Sequence, residues 1–160
     1  MLTGPPGAGK TTVLTALIGL LEADGAPYAA VEVEALALVH PGPDDDAAFD
    51  HLAFVADSFR RRGYPSLIVG ATIEDEAYLR RLLAALPSED VVLVRLDAPA
   101  ALLRERLTRR EPPEWVGLPR LLEAAGTLAT SIAALPGVDL VLSTVDADPR
   151  KVAAAIRDVM

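Results

Sequence analysis

Near the start of the chain, Gly4-Pro5-Pro6-Gly7-Ala8-Gly9-Lys10-Thr11 fits the pattern G-x-x-x-x-G-K-[ST] at every position, with Thr12 following. Val13, Leu14, Leu17, Ile18 and Leu21 then recur at helical spacing, which predicts a helix from Lys10 to about Ala23, ended near Gly25. A glycine loop that runs directly into a helix aims backbone N–H groups and the positive end of the helix dipole at one point, and so makes an anion site. The lysine and hydroxyl at its end specify the anion as the phosphate chain of a nucleoside triphosphate. Lys10 is placed to reach the β- and γ-phosphates and Thr11 to ligate Mg2+. The bland alternative is a glycine-rich turn that merely happens to precede a helix, and the complete match argues against it. Only Met1-Leu2-Thr3 precede Gly4, so the first strand is expected to be short, either truncated or preceded by further chain.

Composition narrows the partners. The formal net charge is -8 over 160 residues, and phosphate-backbone binding needs a basic surface, so a general nucleic-acid binder is disfavoured. Aromatics make up 4%, leaving few stacking platforms for single strands. Lys10 and Lys151 are the only lysines, which makes a lysine inside the glycine loop a pointed placement. With no cysteine, thiolate metal sites, disulfides and cysteine nucleophiles are excluded, and a 51% hydrophobic content suffices for a core without staples. No stretch approaches the roughly 20 apolar residues of a membrane span, and no basic-then-apolar leader is present. A single domain over residues 1–160 in the cytoplasm is the expectation.

Beyond the first helix, apolar runs and helical patterns alternate. Strands are predicted at Tyr28–Val33, Ser66–Ala71, Val91–Leu96 and Val138–Ser143. Helices are predicted around Phe49 to Phe59, ending before Gly63, and around Leu79 to Leu86. Others are expected at Ala100 to about Arg110, Leu118 to about Leu135, and Pro149–Val159, the last begun by its proline. Such alternation implies right-handed βαβ units and a parallel sheet covered on both faces, a three-layer α/β/α domain. Pro41-Gly42-Pro43 and Pro112-Pro113 read as loops within it.

Two constellations carry chemistry beyond the loop. Glu32 and Glu34, two residues apart at the end of the second strand, are expected on the same side of the sheet, at the edge where ligands bind in open α/β folds. There they can hold magnesium-bound water and orient or deprotonate a hydroxyl; the alternative is a solvated strand end. Arg104, Arg106, Arg109 and Arg110 crowd one helix end before Glu111-Pro112-Pro113-Glu114-Trp115. They suit neutralisation of transferring phosphate beneath a closing loop, or satisfaction of terminal carbonyls. The strand Ser66–Ala71 ends in small residues, without the Asp-Glu pair usual in motor, AAA-type and transporter ATPases.

On these residues the chain resembles the small P-loop kinases, the superfamily of nucleoside monophosphate, shikimate, gluconate and adenylylsulfate kinases, over nearly its whole length. Val94-Arg95-Leu96-Asp97-Ala98-Pro99 and Leu102-Leu103-Arg104-Glu105-Arg106-Leu107 are similar to the strand, turn and helix that lead into their mobile lid. The resemblance implies the strand order 2-3-1-4-5, a lid at about residues 110–118, adenine stacking for Arg106 and phosphate contact for Arg110. Glu32-Val33-Glu34 is similar to the D-x-D of shikimate kinases, which implies one acid for magnesium and one for the acceptor hydroxyl, with Glu32 beside Thr11 as the metal pair. Ser143 to Pro149 is similar to the loop that cups adenine, which implies base contacts by Thr144, Asp146 and Pro149. Gly4, Pro5, Pro6, Gly7, Ala8, Gly9, Lys10, Thr11 and Thr12 complete the expected ATP site. Thr72-Ile73-Glu74-Asp75 departs from the glycines and arginines of shikimate kinases and reads as a helix cap.

The expected activity is transfer of the γ-phosphate of ATP to a hydroxyl or phosphate of a small-molecule acceptor. Its rivals are a nucleotide-binding regulatory or ATPase module and a kinase of nucleic-acid ends. Among weaker candidates, His40 and His51 form no metal pattern, and His40 reads as a loop histidine that could face the acceptor. Asp44-Asp45-Asp46 read as a helix start, with substrate binding as the alternative, and Arg60-Arg61-Arg62 read as a helix end. Trp115 is either a lid residue that packs on ligand or an anchor for its own loop.

Overall fold

The computed structural model describes residues 1–40, 44–86 and 90–160; the Pro41-Gly42-Pro43 loop expectation falls outside the described residues. Strands β1 (Leu2–Thr3), β2 (Ala29–Glu32), β3 (Leu67–Ala71), β4 (Val94–Asp97) and β5 (Leu140–Ser143) form one parallel sheet in the order β2-β3-β1-β4-β5. Between and after them run helices α1 (Lys10–Ala23), α2 (Asp45–Arg61), α3 (Glu76–Ala84), α4 (Ala100–Arg110), α5 (Leu118–Ala133) and α6 (Pro149–Arg157). The expected three-layer α/β/α architecture and strand order are both observed.

Alternation along the strands divides the core between the two faces. Ile68 and Val94 turn toward one face, where Leu14, Leu17 and Leu21 of α1 meet Val152, Ala153 and Ile156 of α6. Val69 and Leu93 turn toward the other, packing with Phe49 and Leu52 of α2, Leu79 and Leu82 of α3, and Ile132 of α5. Short β1 suffices as the central strand because it is paired on both sides, to β3 and to β4.

Several boundaries differ from the sequence expectation. The second strand stops at Glu32, and Val33–Ala35 form a 3-10 turn, so Glu34 lies beyond the pleat and does not share a strand face with Glu32. Strands β4 and β5 begin later than their apolar runs. The Leu93 amide donates to the Asp139 carboxylate at 2.8 Å while the Asp139 amide donates to the Leu93 carbonyl at 2.9 Å, so a side chain closes that end of the pair. The aspartate helix starts are as read: Asp44 caps α2 through the Ala47 amide and Asp75 caps α3 through the Tyr78 amide.

Candidate functional site

The carboxyl ends of β1, β2, β3 and β4 open into a cleft around the glycine loop. Within the loop the Ala8 amide donates to the Pro5 carbonyl at 3.0 Å, and the Val13 amide closes onto the Gly9 carbonyl at 2.9 Å to begin α1. Gly7 and Gly9 have φ of 84° and 93°, a region that side chains strain. A Cβ on Gly7 would stand 2.9 Å from the Leu103 carbonyl, so its absence lets α4 pack against the loop. At Gly9 no atom lies within 4 Å of that position, which leaves open space over the loop at the start of α1. An open cradle at a helix N-terminus, beside an ammonium and a hydroxyl, fits a chain of phosphates.

Lys10 donates its Nζ proton to the Gly4 carbonyl at 2.8 Å, folding its side chain back along the loop. Burial pushes its ammonium below the ordinary lysine range. The charges of Glu34 and Glu32 oppose that shift, and Arg110 adds to it. Removing the loop's cation from water in this way primes it for a strong anionic partner.

Thr11 donates its hydroxyl to Glu32 Oε1 at 2.6 Å, bringing together the two residues expected to serve a metal ion. Glu32 stands opposite Gly70 in the sheet register, and the missing side chain there leaves room for the glutamate to reach α1. Glu34 accepts from the Thr72 amide at 2.6 Å, and the next amide, Ile73, donates to the buried Thr3 hydroxyl at 3.1 Å. That pair of bonds fixes the loop between β3 and α3 against β1 and the 3-10 turn. Both glutamates line the phosphate cleft, of about 410 Å³, with Lys10, Thr11, Thr72 and Arg110. Among the described residues no group of three His, Asp or Glu side chains could alone hold a metal ion. One carboxylate plus one hydroxyl nonetheless fits Mg2+, which takes few protein ligands and completes its shell with phosphates and water.

The expected base site forms a neighbouring cavity of about 350 Å³, walled by Gly7, Thr12, Arg106, Arg109, Thr144 and Pro149 among others. Arg106 donates to the Gly7 carbonyl (3.2 Å), the Thr144 hydroxyl (3.0 Å) and the Thr144 carbonyl (2.7 Å), which pins its guanidinium across the cavity edge. Thr144 is itself buried, its amide bonded to the Asp97 carbonyl at the end of β4 at 2.9 Å. Asp146 does not line the cavity: it is exposed at φ 49° and turns the loop, so that Ala147 takes the wall position. Of the arginine cluster, Arg110 borders both cavities and pairs with Glu111 at 2.5 Å, whereas Arg104 leaves the site to bond the Leu122 carbonyl on α5. Trp115 is partly exposed and covers Gly117 in its own loop.

Sequence reasoning missed a third cavity of about 670 Å³ that shares Glu34, Leu38 and Thr72 with the phosphate cleft. Its further walls include His40, Asp44, Asp45, Glu74 and Tyr78. Sequence offers His40 and the Asp44-Asp45-Asp46 run as acceptor contacts only one by one, and Tyr78 lies four residues before Leu82, on the helix stripe already read as buried.

Comparison with known proteins agrees with this architecture. A sugar kinase from Janibacter sp. HTCC2649 is 22% identical, covering 98% of this chain and 90% of its own, with a TM-score of 0.64. The APS kinase of Mycobacterium tuberculosis in complex with AMPPNP and APS is 17% identical, covering 99% and 94%, at 0.64. Shikimate kinase from Acinetobacter baumannii in complex with shikimate is 22% identical, covering 99% and 89%, at 0.57. At such identities the likeness is one of fold, and it matches the resemblance to the small P-loop kinases. No curated protein sequence matches, and no helix among the described residues is long and apolar enough to cross a membrane. The sequence model of one family, described as an AAA domain, matches residues 1–117, although β3 ends in Gly70-Ala71 without an acidic pair. The chain belongs to that AAA domain family of P-loop proteins.

Proposed function

We propose that the protein is an ATP-dependent phosphotransferase that moves the γ-phosphate to a hydroxyl or phosphate of a small molecule. The observation that carries this reading is the junction of cavities: Glu34, Leu38 and Thr72 are walls of both the phosphate cleft and the third cavity. A module that only binds or hydrolyses nucleotide needs no second chamber opening at the phosphate end. Three of the solved structures of similar fold are named as kinases of a sugar, of shikimate and of APS, each a small acceptor.

In this reading the loop amides and Lys10 hold the phosphates and receive the charge that develops during transfer. Arg106, Thr144 and Pro149 border the base and ribose, and Arg110 bridges toward the phosphates. Mg2+, when bound, neutralises phosphate oxygens, and Thr11 with Glu32 are the residues that would hold it. Glu34, fixed by the Thr72 amide, accepts the proton of the acceptor hydroxyl. The acceptor oxygen forms its bond to the γ-phosphorus as the bond to the β–γ bridging oxygen breaks, and ADP leaves. Residues 110–118 serve as a short lid that excludes water. Mechanistically this is chiefly positioning.

The test is ADP release from magnesium ATP across a panel of sugars, nucleosides, amino sugars and hydroxy acids, with Lys10→Ala as control. Turnover that one acceptor stimulates and the variant loses supports the proposal. Slow turnover indifferent to every acceptor supports the regulatory or ATPase module instead.

A further inference from the structure

The chemistry of the acceptor cavity limits what can enter it; this inference rests on the phosphotransferase reading. Glu34 on the 3-10 turn, Asp44 and Asp45 at the start of α2, and Glu74 before α3 all line it. His40 is the sole basic side chain among its described walls. The nearest arginines of α3 are already engaged: Arg80 pairs with Glu76 at 2.5 Å, and Arg81 pairs with Asp46 while lying 4.7 Å over the Phe49 ring.

Tyr78 lines the same cavity. Burial, and then the charges of Asp45, Glu34 and Glu74, hold its phenol up at about 12, with Arg81 opposing. Three carboxylates from three separate segments therefore act on one point of the wall. They do not gather closely enough to hold a metal ion, and between them lie the Tyr78 ring and apolar Val33, Ala37 and Val39. Dispersed carboxylates around an aromatic and aliphatic floor suit an extended organic cation. An anionic acceptor such as shikimate would meet like charge, with no arginine among the cavity's described walls.

We propose that the acceptor is a cationic polyol, a hydroxylated small molecule with one or more protonated amines seated on Asp44, Asp45 and Glu74 while a hydroxyl faces Glu34. Charge then reverses along the cleft. Lys10, Arg106 and Arg110 stand at the end that takes the polyanion, and the four acids stand at the end that takes the cation.

Kanamycin A and glucosamine serve as amine probes, their N-acetylated forms as neutral counterparts, and gluconate and shikimate as anions, each assayed by ADP release with magnesium ATP. An amine probe is expected to stimulate turnover, and N-acetylation to lower kcat/KM by at least about tenfold. The double variant Asp45→Asn, Glu74→Gln raises KM for the amine by about tenfold, leaving kcat and the KM for ATP within about twofold. Equal or better kcat/KM for a neutral or anionic probe overturns the proposal. If no probe of any charge stimulates turnover, the phosphotransferase reading fails on its own, and calorimetric titration of kanamycin A decides the cation site. Binding that the double variant weakens about tenfold upholds the site, and absence of binding removes it.

Discussion

In the proposed function the phosphates are held by one contiguous loop with Arg106 and Arg110 of α4 beside it, whereas the acceptor end is assembled from segments distant in sequence. At the first, eight consecutive residues supply the amides, ammonium and hydroxyl, and Arg106 ties that loop to Thr144 across the sheet. At the second, Glu34, Asp45, Glu74 and Tyr78 come together only because β2 and β3 pair and the loops beyond them are pinned by Thr72 and Ile73 amides. In the proposed reaction one local loop suffices for the polyphosphate, while the chamber proposed for the acceptor is made of parts that can change separately.

The largest expected effect breaks the nucleotide end. Lys10→Ala should lower acceptor-stimulated kcat by about 10²–10³-fold, the range for loss of one charge-stabilising donor. Lys10→Met separates function from folding. Burial holds the folded-state pKa of Lys10 below its unfolded value, so the cost of burying the charge is full below the folded pKa. That cost is relieved as pH climbs toward the ordinary lysine range. In Lys10→Met this rise of stability with pH should disappear, and the unliganded variant should melt no lower than the parent while the nucleotide-induced increase in Tm is lost. A parent-like nucleotide shift in Tm would remove Lys10 from the phosphate site.

How much of each end was legible follows from the same contrast. The phosphate loop could be read outright because its chemistry is local in sequence, and the strand–helix alternation gave the layers. The glutamate pair was found, but its geometry was not: periodicity carries no sign that the chain leaves the pleat after Glu32, and Glu34 reaches the cleft from a 3-10 turn. Asp146, expected at the base, is exposed with a left-handed backbone and stands outside the cavity wall, which Ala147 joins. The cavity proposed for the acceptor was not foreseen as one chamber, because Asp44 and Asp45 read first as a helix start, with substrate binding as the alternative, and Glu74 precedes a cap. Their second role, as walls of one cavity, exists only after the sheet has formed.

The next effect separates the two glutamates. Glu34→Gln should lower kcat by about 10²-fold with little change in the KM for ATP, as expected for loss of a proton acceptor. Glu32→Gln should instead raise the Mg2+ concentration needed for half-maximal rate, because its partner is Thr11. Magnesium titrations of both variants test this, and identical shifts would mean that the glutamates act as one unit.

Arg106→Ala should weaken nucleotide binding by about tenfold, since a charged group loses its hydrogen bonds to Gly7 and Thr144. Arg106→Lys should not restore it, because an ammonium lacks the planar fork that reaches both carbonyls and the hydroxyl. Calorimetry with ADP is the measurement. Full affinity in the lysine variant would reduce the residue to a bare charge.

The smallest effect sharpens the acceptor end. Arg81 pairs with Asp46 and lies over Phe49, on an exposed rim where such contacts contribute about 0.5–1 kcal/mol. Arg81→Met should therefore lower Tm by only about 2–4 °C in a chain of this size. It also leaves Asp46 unneutralised beside the acidic chamber, so the KM for an amine-bearing acceptor should fall by about twofold at low salt, and the gain should vanish as salt is raised. Nucleotide affinity, set at the far end by Lys10 and Arg106, should not move. A change in ADP binding of the same size would mean that the two ends of the cleft are coupled and not built separately.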